Sequence, residues 1–225
     1  MHIEPGVVTG AKLGLSYATA GLAFAIAAKS SLDTIQKDGL VSLLSRALMS
    51  ALLVFIFFEV FPKQPVGVSE VHFILGSTLF LIFGSAAAAI GLSVGLLLQG
   101  VFFAPFDLPQ YAMNVTTLLL PLFAMTAIAR RTISEKTAYV DIRYSQALRL
   151  SLTYQGGIVA WVAFWAFYGQ GFGAENLSSV ATFGMAYLSV VLLEPILDLA
   201  ILASAKTCRS LQGSRLVEER LYQTK

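Results

Sequence analysis

The chain has a single cysteine, Cys208, and two histidines, His2 and His72, in 225 residues. One cysteine excludes an internal disulfide and any metal site built from cysteines alone, so the redox compartment is not readable from it. Two histidines so far apart exclude the H-E-x-x-H pair of zinc hydrolases and leave no third imidazole to act as a base. Charge is scarce too: 12% of residues are Asp, Glu, Lys or Arg and 56% are hydrophobic, whereas a soluble domain carries about 25% charged residues. These values argue against a water-soluble fold and make lipid, not nucleic acid, the surrounding partner. A G-x-x-x-x-G-K-[ST] phosphate loop is missing, so ATP hydrolysis by that route has to come from elsewhere.

What the chain does have is apolar length. Crossing about 30 Å of hydrocarbon takes roughly 20 helical residues, and apolar runs occur at 10–28, 40–61, 71–83, 85–104, 112–129, 147–168 and 177–203. The expectation is an all-α, polytopic bundle of about seven spans, with residues 1–205 as the membrane domain and 206–225 as a basic cytoplasmic tail. The third and fourth runs share only 34 residues, from Val71 to Ala104, so one of them is expected to be short or tilted. With the N-terminus outside, 13 of the 15 lysines and arginines fall on the cytoplasmic side, leaving Lys12 and Lys63 outside; this bias selects that orientation. Lys12 and the apolar run after it resemble a secretory signal, but Glu4 precedes them and Lys29 and Lys37 follow, which favours an uncleaved first helix.

This topology places both histidines on the outer face. A free N-terminus with histidine second offers three nitrogens in one plane: the Met1 amine, the His2 amide and the His2 imidazole. The His72 imidazole would complete a square-planar set, a geometry suited to Ni(II) or Cu(II) and accessible to Co(II), and poor for tetrahedral Zn(II). The amine must be unprotonated to bind. Glu4, Glu59, Glu70, Asp107 and Glu175 outnumber the two outer lysines and would draw cations to the mouth. The competing reading makes His2 a loose terminal residue and His72 an interfacial helix-starter.

Met1-His2-Ile3 with Gly6 behind it resembles the N-terminus of the cobalt/nickel-specific substrate-binding (S) components of energy-coupling factor (ECF) type ABC transporters, also called cobalt transport membrane permeases. The run from Val71 through His72 to Gly76 is similar to that family's histidine-plus-glycine helix start, and Leu96–Gln99 with Met113-Asn114 to its Gln and Asn segment. The resemblance spans residues 1–122. It implies Met1, His2 and His72 as metal ligands, and Gln99 and Asn114 as outer partners that orient His2 or the N-terminal loop by hydrogen bonds; simple helix-helix contacts are their other reading. It further implies Co2+ or Ni2+ as the transported substrate with no catalytic cofactor. The partners would be a transmembrane coupling subunit and ATP-binding cassette ATPases, with a small accessory membrane subunit as a candidate. The expected location is the bacterial inner membrane, with a periplasmic or extracellular N-terminus. Glu4-Pro5-Gly6 and Ala104-Pro105-Phe106-Asp107 depart from the family pattern and bear on metal preference.

Four features allow more than one reading. Gly14, Ala18, Gly21, Ala25 and Ala28 form a small-residue stripe on the first span, suited to internal packing or to docking the coupling subunit. Gly84, Ala88, Gly91 and Gly95 form a second. Gly91-Leu92-Ser93-Val94-Gly95 matches the letters G-x-S-x-G but lies within an apolar span, not at the strand-to-helix turn a hydrolase requires. Glu194 and Asp198 suggest a cation relay or an ion pair with Arg46 and Arg149, the pair being favoured. An S component for a vitamin, or a scaffold that kept the fold without transport, are the rival functions, and both would be indifferent to His2.

Overall fold

The computed structural model describes Ile3, residues 5–61 and residues 64–223. Seven α-helices run α1 Leu13–Asp38, α2 Leu40–Glu59, α3 Gly76–Phe83, α4 Ser85–Phe102, α5 Tyr111–Thr132, α6 Tyr144–Gln170 and α7 Ala174–Thr207, with a short hairpin of β1 Gln64–Val66 and β2 Ser69–Val71 before α3. Six of the seven, all but α3, are long and apolar enough to cross a membrane. Single glycines make the sharp reversals: Gly39 between α1 and α2 and Gly84 between α3 and α4 have φ of 85° and 82°, a region open to glycine and strained for other residues.

The third span departs from the sequence reading. Helix begins at Gly76, not Val71, because Ser69–Val71 pair antiparallel with Gln64–Val66 across a Gly67-Val68 turn, and Gly67 has φ +61° at the position where a two-residue hairpin turn favours glycine. The eight residues of α3 rise only about 12 Å, well short of a crossing, and residues 72–75 ahead of them are not helical. Irregular backbone at membrane depth survives only where protein, not lipid, surrounds it. His72, Ile74 and Leu75 are buried accordingly.

Helix α4 lies along α2 through its glycine stripe. A Cβ at Gly91 would sit 2.1 Å from Ser50 Oγ and one at Gly95 would sit 2.5 Å from Val54 Cγ1, so this stripe serves internal packing. Ser93 donates to the Ala89 carbonyl one turn back at 2.8 Å, an ordinary helical serine and not a nucleophile on a turn. The stripe on α1 behaves differently. Ser16, Ala20, Ala23 and Ala27 face the bundle, while Gly14, Ala18, Gly21, Ala25 and Ala28 are all exposed; internal packing does not account for them.

At the end of the bundle opposite the hairpin, residues 209–223 fold back onto the helices. Arg46, fully buried, bonds Asp38 and Glu218, both at 2.5 Å. Lys37 meets Glu219 at 2.7 Å. Arg220 donates to the carbonyls of Ile133 and Ser134 at 3.1 and 2.9 Å and lies 4.8 Å over the Tyr139 ring. Burial lifts the Tyr139 phenol above its ordinary value, opposed by the Arg220 cation.

Candidate metal centre

The hairpin end brings Ile3 to β2, the strand that leads into His72. Ile3, fully buried, makes an antiparallel bridge with Ser69 of β2, and its amide donates to Asn114 Oδ1 of α5 at 2.9 Å. Ser69 lies three residues before His72 on the same extended segment. One contact of residue 3 thus fixes it to the strand that leads into His72 and the other to α5. Behind it, Lys12 donates to the carbonyls of Tyr168 and Gly169 at 2.8 and 3.1 Å, near the end of α6, where a cation meets the negative end of the helix dipole. A Cβ on Gly169 would fall 1.8 Å from the Val7 carbonyl oxygen, so residues 7–12 lie tightly over α6.

His72 is fully buried. Its Nε2 lies 2.9 Å from Glu70 Oε2, and the Phe58 ring of α2 stands edge-on with centroids 5.0 Å apart. With a carboxylate at Nε2, the favoured neutral tautomer carries its proton there and its lone pair on Nδ1. Sequence reasoning counted Glu70 only as a charge near the mouth. The available signal was its spacing: residues two apart on a strand share a face.

Asn114 therefore touches the N-terminal segment directly. Gln99 is also fully buried, on α4, yet neither its amide nitrogen nor its amide oxygen has a hydrogen-bond partner among the described residues. Leu96 and Gly100, which flank Gln99, line one small cleft with Asn114, Asp107 and Tyr111. Met1 and His2, the other sequence-predicted ligands, lie outside the described residues. No group of three or more His, Cys, Asp or Glu side chains arranged to hold a metal occurs among the described residues, so side chains of that kind do not make a complete site there.

Below His72, Glu194 and Asp198 do not pair with arginine. Arg46 is committed to Asp38 and Glu218, and Arg149 is exposed. Glu194 Oε2 instead accepts from Ser151 Oγ at 2.6 Å and Gln155 Nε2 at 2.9 Å, and its Oε1 accepts from the Ser77 amide at 3.3 Å. Asp198 accepts from Ser77 Oγ at 2.6 Å and from the Thr78 hydroxyl. Helix α3 has no capping side chain of its own. Its first turn, buried in the bundle, is satisfied by a carboxylate from α7, placed where the helix dipole favours negative charge. The four-residue spacings Ser151-Gln155 and Glu194-Asp198 were the legible signal that α6 and α7 turn polar faces toward one point.

Residues 2–210 match the family model described as the cobalt uptake substrate-specific transmembrane region. The chain belongs to that family. It is accordingly a multi-pass membrane protein, a substrate-specific component of cobalt uptake, and such components work with other transporter components. The crystal structure of a transition metal transporter has the same fold: TM-score 0.68 at 17% identity, covering 93% of this chain and 94% of that one. The crystal structure of a truncated transition metal transporter gives TM-score 0.69 at 16% identity, over 92% of this chain and 99% of that one. A comparison with curated protein sequences gives no match. For this cobalt uptake component the family model extends well past residue 122, where the motifs legible in the sequence ended. The later helices have a shared shape without a short signature.

Proposed function

We propose that this cobalt uptake component is the metal-capturing subunit of an ECF-type importer, taking Co2+, or Ni2+, at the outer face through the Met1 amine, the His2 amide and imidazole, and His72. The observation that carries the reading is the placement of Ile3: the residue next to His2 in sequence is bonded both to Ser69, on the strand that leads into His72, and to Asn114. Glu70 on Nε2 supports Nδ1 as the donor atom, since a carboxylate behind a metal-bound imidazole fixes the ring and raises its basicity. Four nitrogens in a plane favour an ion that accepts square-planar coordination. The family description favours cobalt over nickel as the substrate. Asn114 holds Ile3, and the amide of Gln99, without a partner among the described residues, is suited to a polar group of the closed site.

The lysine and arginine bias supports an outward hairpin end, a cytoplasmic C-terminus and a bacterial inner-membrane location, with residues 1–205 as the transport domain and 206–225 as its inner tail. The exposed α1 stripe supports a docking face for a transmembrane coupling subunit, because small residues let a partner helix approach closely. The ATPases that energise uptake would act through that subunit, joined in some assemblies by an accessory membrane subunit. Uptake of radioactive cobalt by cells expressing the chain with its partners tests this function. The His2→Ala variant is expected to lose uptake while reaching the membrane at native level. Unchanged uptake would favour the vitamin or scaffold alternatives.

A further inference from the structure

The segment that carries His72 has no regular structure of its own, and its backbone is held instead by side chains reaching in from α6 and α7. The Ile74 carbonyl accepts from Gln155 Nε2 at 2.9 Å, and the same amide nitrogen donates to Glu194 at 2.9 Å. The His72 carbonyl accepts from the Ile74 amide at 3.1 Å and from the Tyr187 hydroxyl at 3.3 Å. Gln155, Tyr187 and Glu194 are all fully buried. Burying such groups in a membrane is costly, and a third span that was helical from residue 71 would have satisfied the same backbone without them. What these groups achieve is an extended turn at His72 with its carbonyl and that of Ile74 both fixed.

We infer that Gln155 and Tyr187 are positioning residues for the metal: they set the backbone on either side of Phe73 so that the His72 ring, already tied at Nε2 to Glu70, presents its other nitrogen at one angle and depth. This inference rests on the capture site proposed above. Glu194 acts one step further out, fixing the Gln155 amide while Ser151 fixes Glu194. Lengths rank the two. The Gln155 bond is of normal length and the Tyr187 bond is long, so Gln155 carries the larger effect.

The test uses the full chain purified in detergent with its native N-terminus, and Ni2+ as the probe. Nickel affinity and the ligand-field absorption of bound Ni2+ are measured for the native protein, Gln155→Leu, Tyr187→Phe and His72→Ala, with metal-free thermal unfolding as the measure of folding. Gln155→Leu is expected to weaken nickel binding about 10–100-fold, as loss of an outer partner does, and to move the absorption band. Tyr187→Phe, which removes one oxygen and leaves the ring's packing, shifts the band in the same direction with a smaller loss of affinity. If Gln155→Leu fails to fold, Tyr187→Phe decides the matter. Native affinity and an unmoved band in every folded variant, with binding lost in His72→Ala, would overturn the positioning role alone. Native binding in His72→Ala would overturn the capture site, and the positioning role with it.

Discussion

Asn114 shows how one side chain joins the start of the chain to the body of the protein. Its Oδ1 is the hydrogen-bond acceptor for the buried Ile3 amide, so Asn114→Ala leaves a buried donor unsatisfied at a cost of about 1–3 kcal/mol. Two losses are expected: a lower unfolding temperature in detergent and, under the proposed capture site, weaker cobalt binding. A variant with lower stability but native cobalt affinity would make Asn114 purely structural. Gln99→Leu is the useful contrast, since its amide has no partner among the described residues and an apolar isostere there is expected to leave metal-free stability equal or higher. At this scale the sequence was informative about His72 and Asn114, because a lone imidazole or amide in an apolar stretch stands out. It carried the two-residue spacing of Glu70 and His72 but not the strand that gives that spacing its meaning. A carboxylate near a membrane surface looks like any other until a strand turns it toward the ring.

The helices other than α3 were legible because their apolar runs, 18 to 27 residues long, are close to or above what a membrane crossing needs, and the limits of legibility lie at α3. Hydropathy reports that Val71–Phe83 is apolar but not that its first half is extended. That difference is enforced by partners far along the chain, Gln155, Tyr187 and Glu194, whose contacts no local pattern encodes. The two small-residue stripes make the same point: both built of glycine and alanine, they have opposite fates, because α2 covers the α4 stripe and no element among the described residues covers the α1 stripe. Gly95→Leu is expected to drive a side chain into Val54 and destabilise the chain by about 1–3 kcal/mol, the usual penalty of overpacking. Gly21→Leu faces open space and is expected to leave the unfolding temperature unchanged, while reducing co-purification with a coupling subunit. Thermal unfolding and co-purification of both variants check this. Equal loss of stability would mean that α1 packs more closely than its exposure implies.

Taken whole, the molecule has two unlike ends joined by a helical bundle. The far end is tied by charge, with Arg46, Asp38, Glu218, Lys37 and Glu219 locking the returning tail against α1 and α2. The hairpin end holds Ile3 to Ser69 of β2 and to Asn114 of α5 by two contacts of its backbone. Whether the terminal amine itself binds the metal is open to direct measurement by cobalt analysis of purified protein starting at Met1, beside the same protein with one extra residue before Met1. The prediction is about one bound cobalt per chain in the first and a loss of most of it in the second, because the added peptide bond replaces the amine donor with an amide. Equal cobalt in both preparations would contradict it.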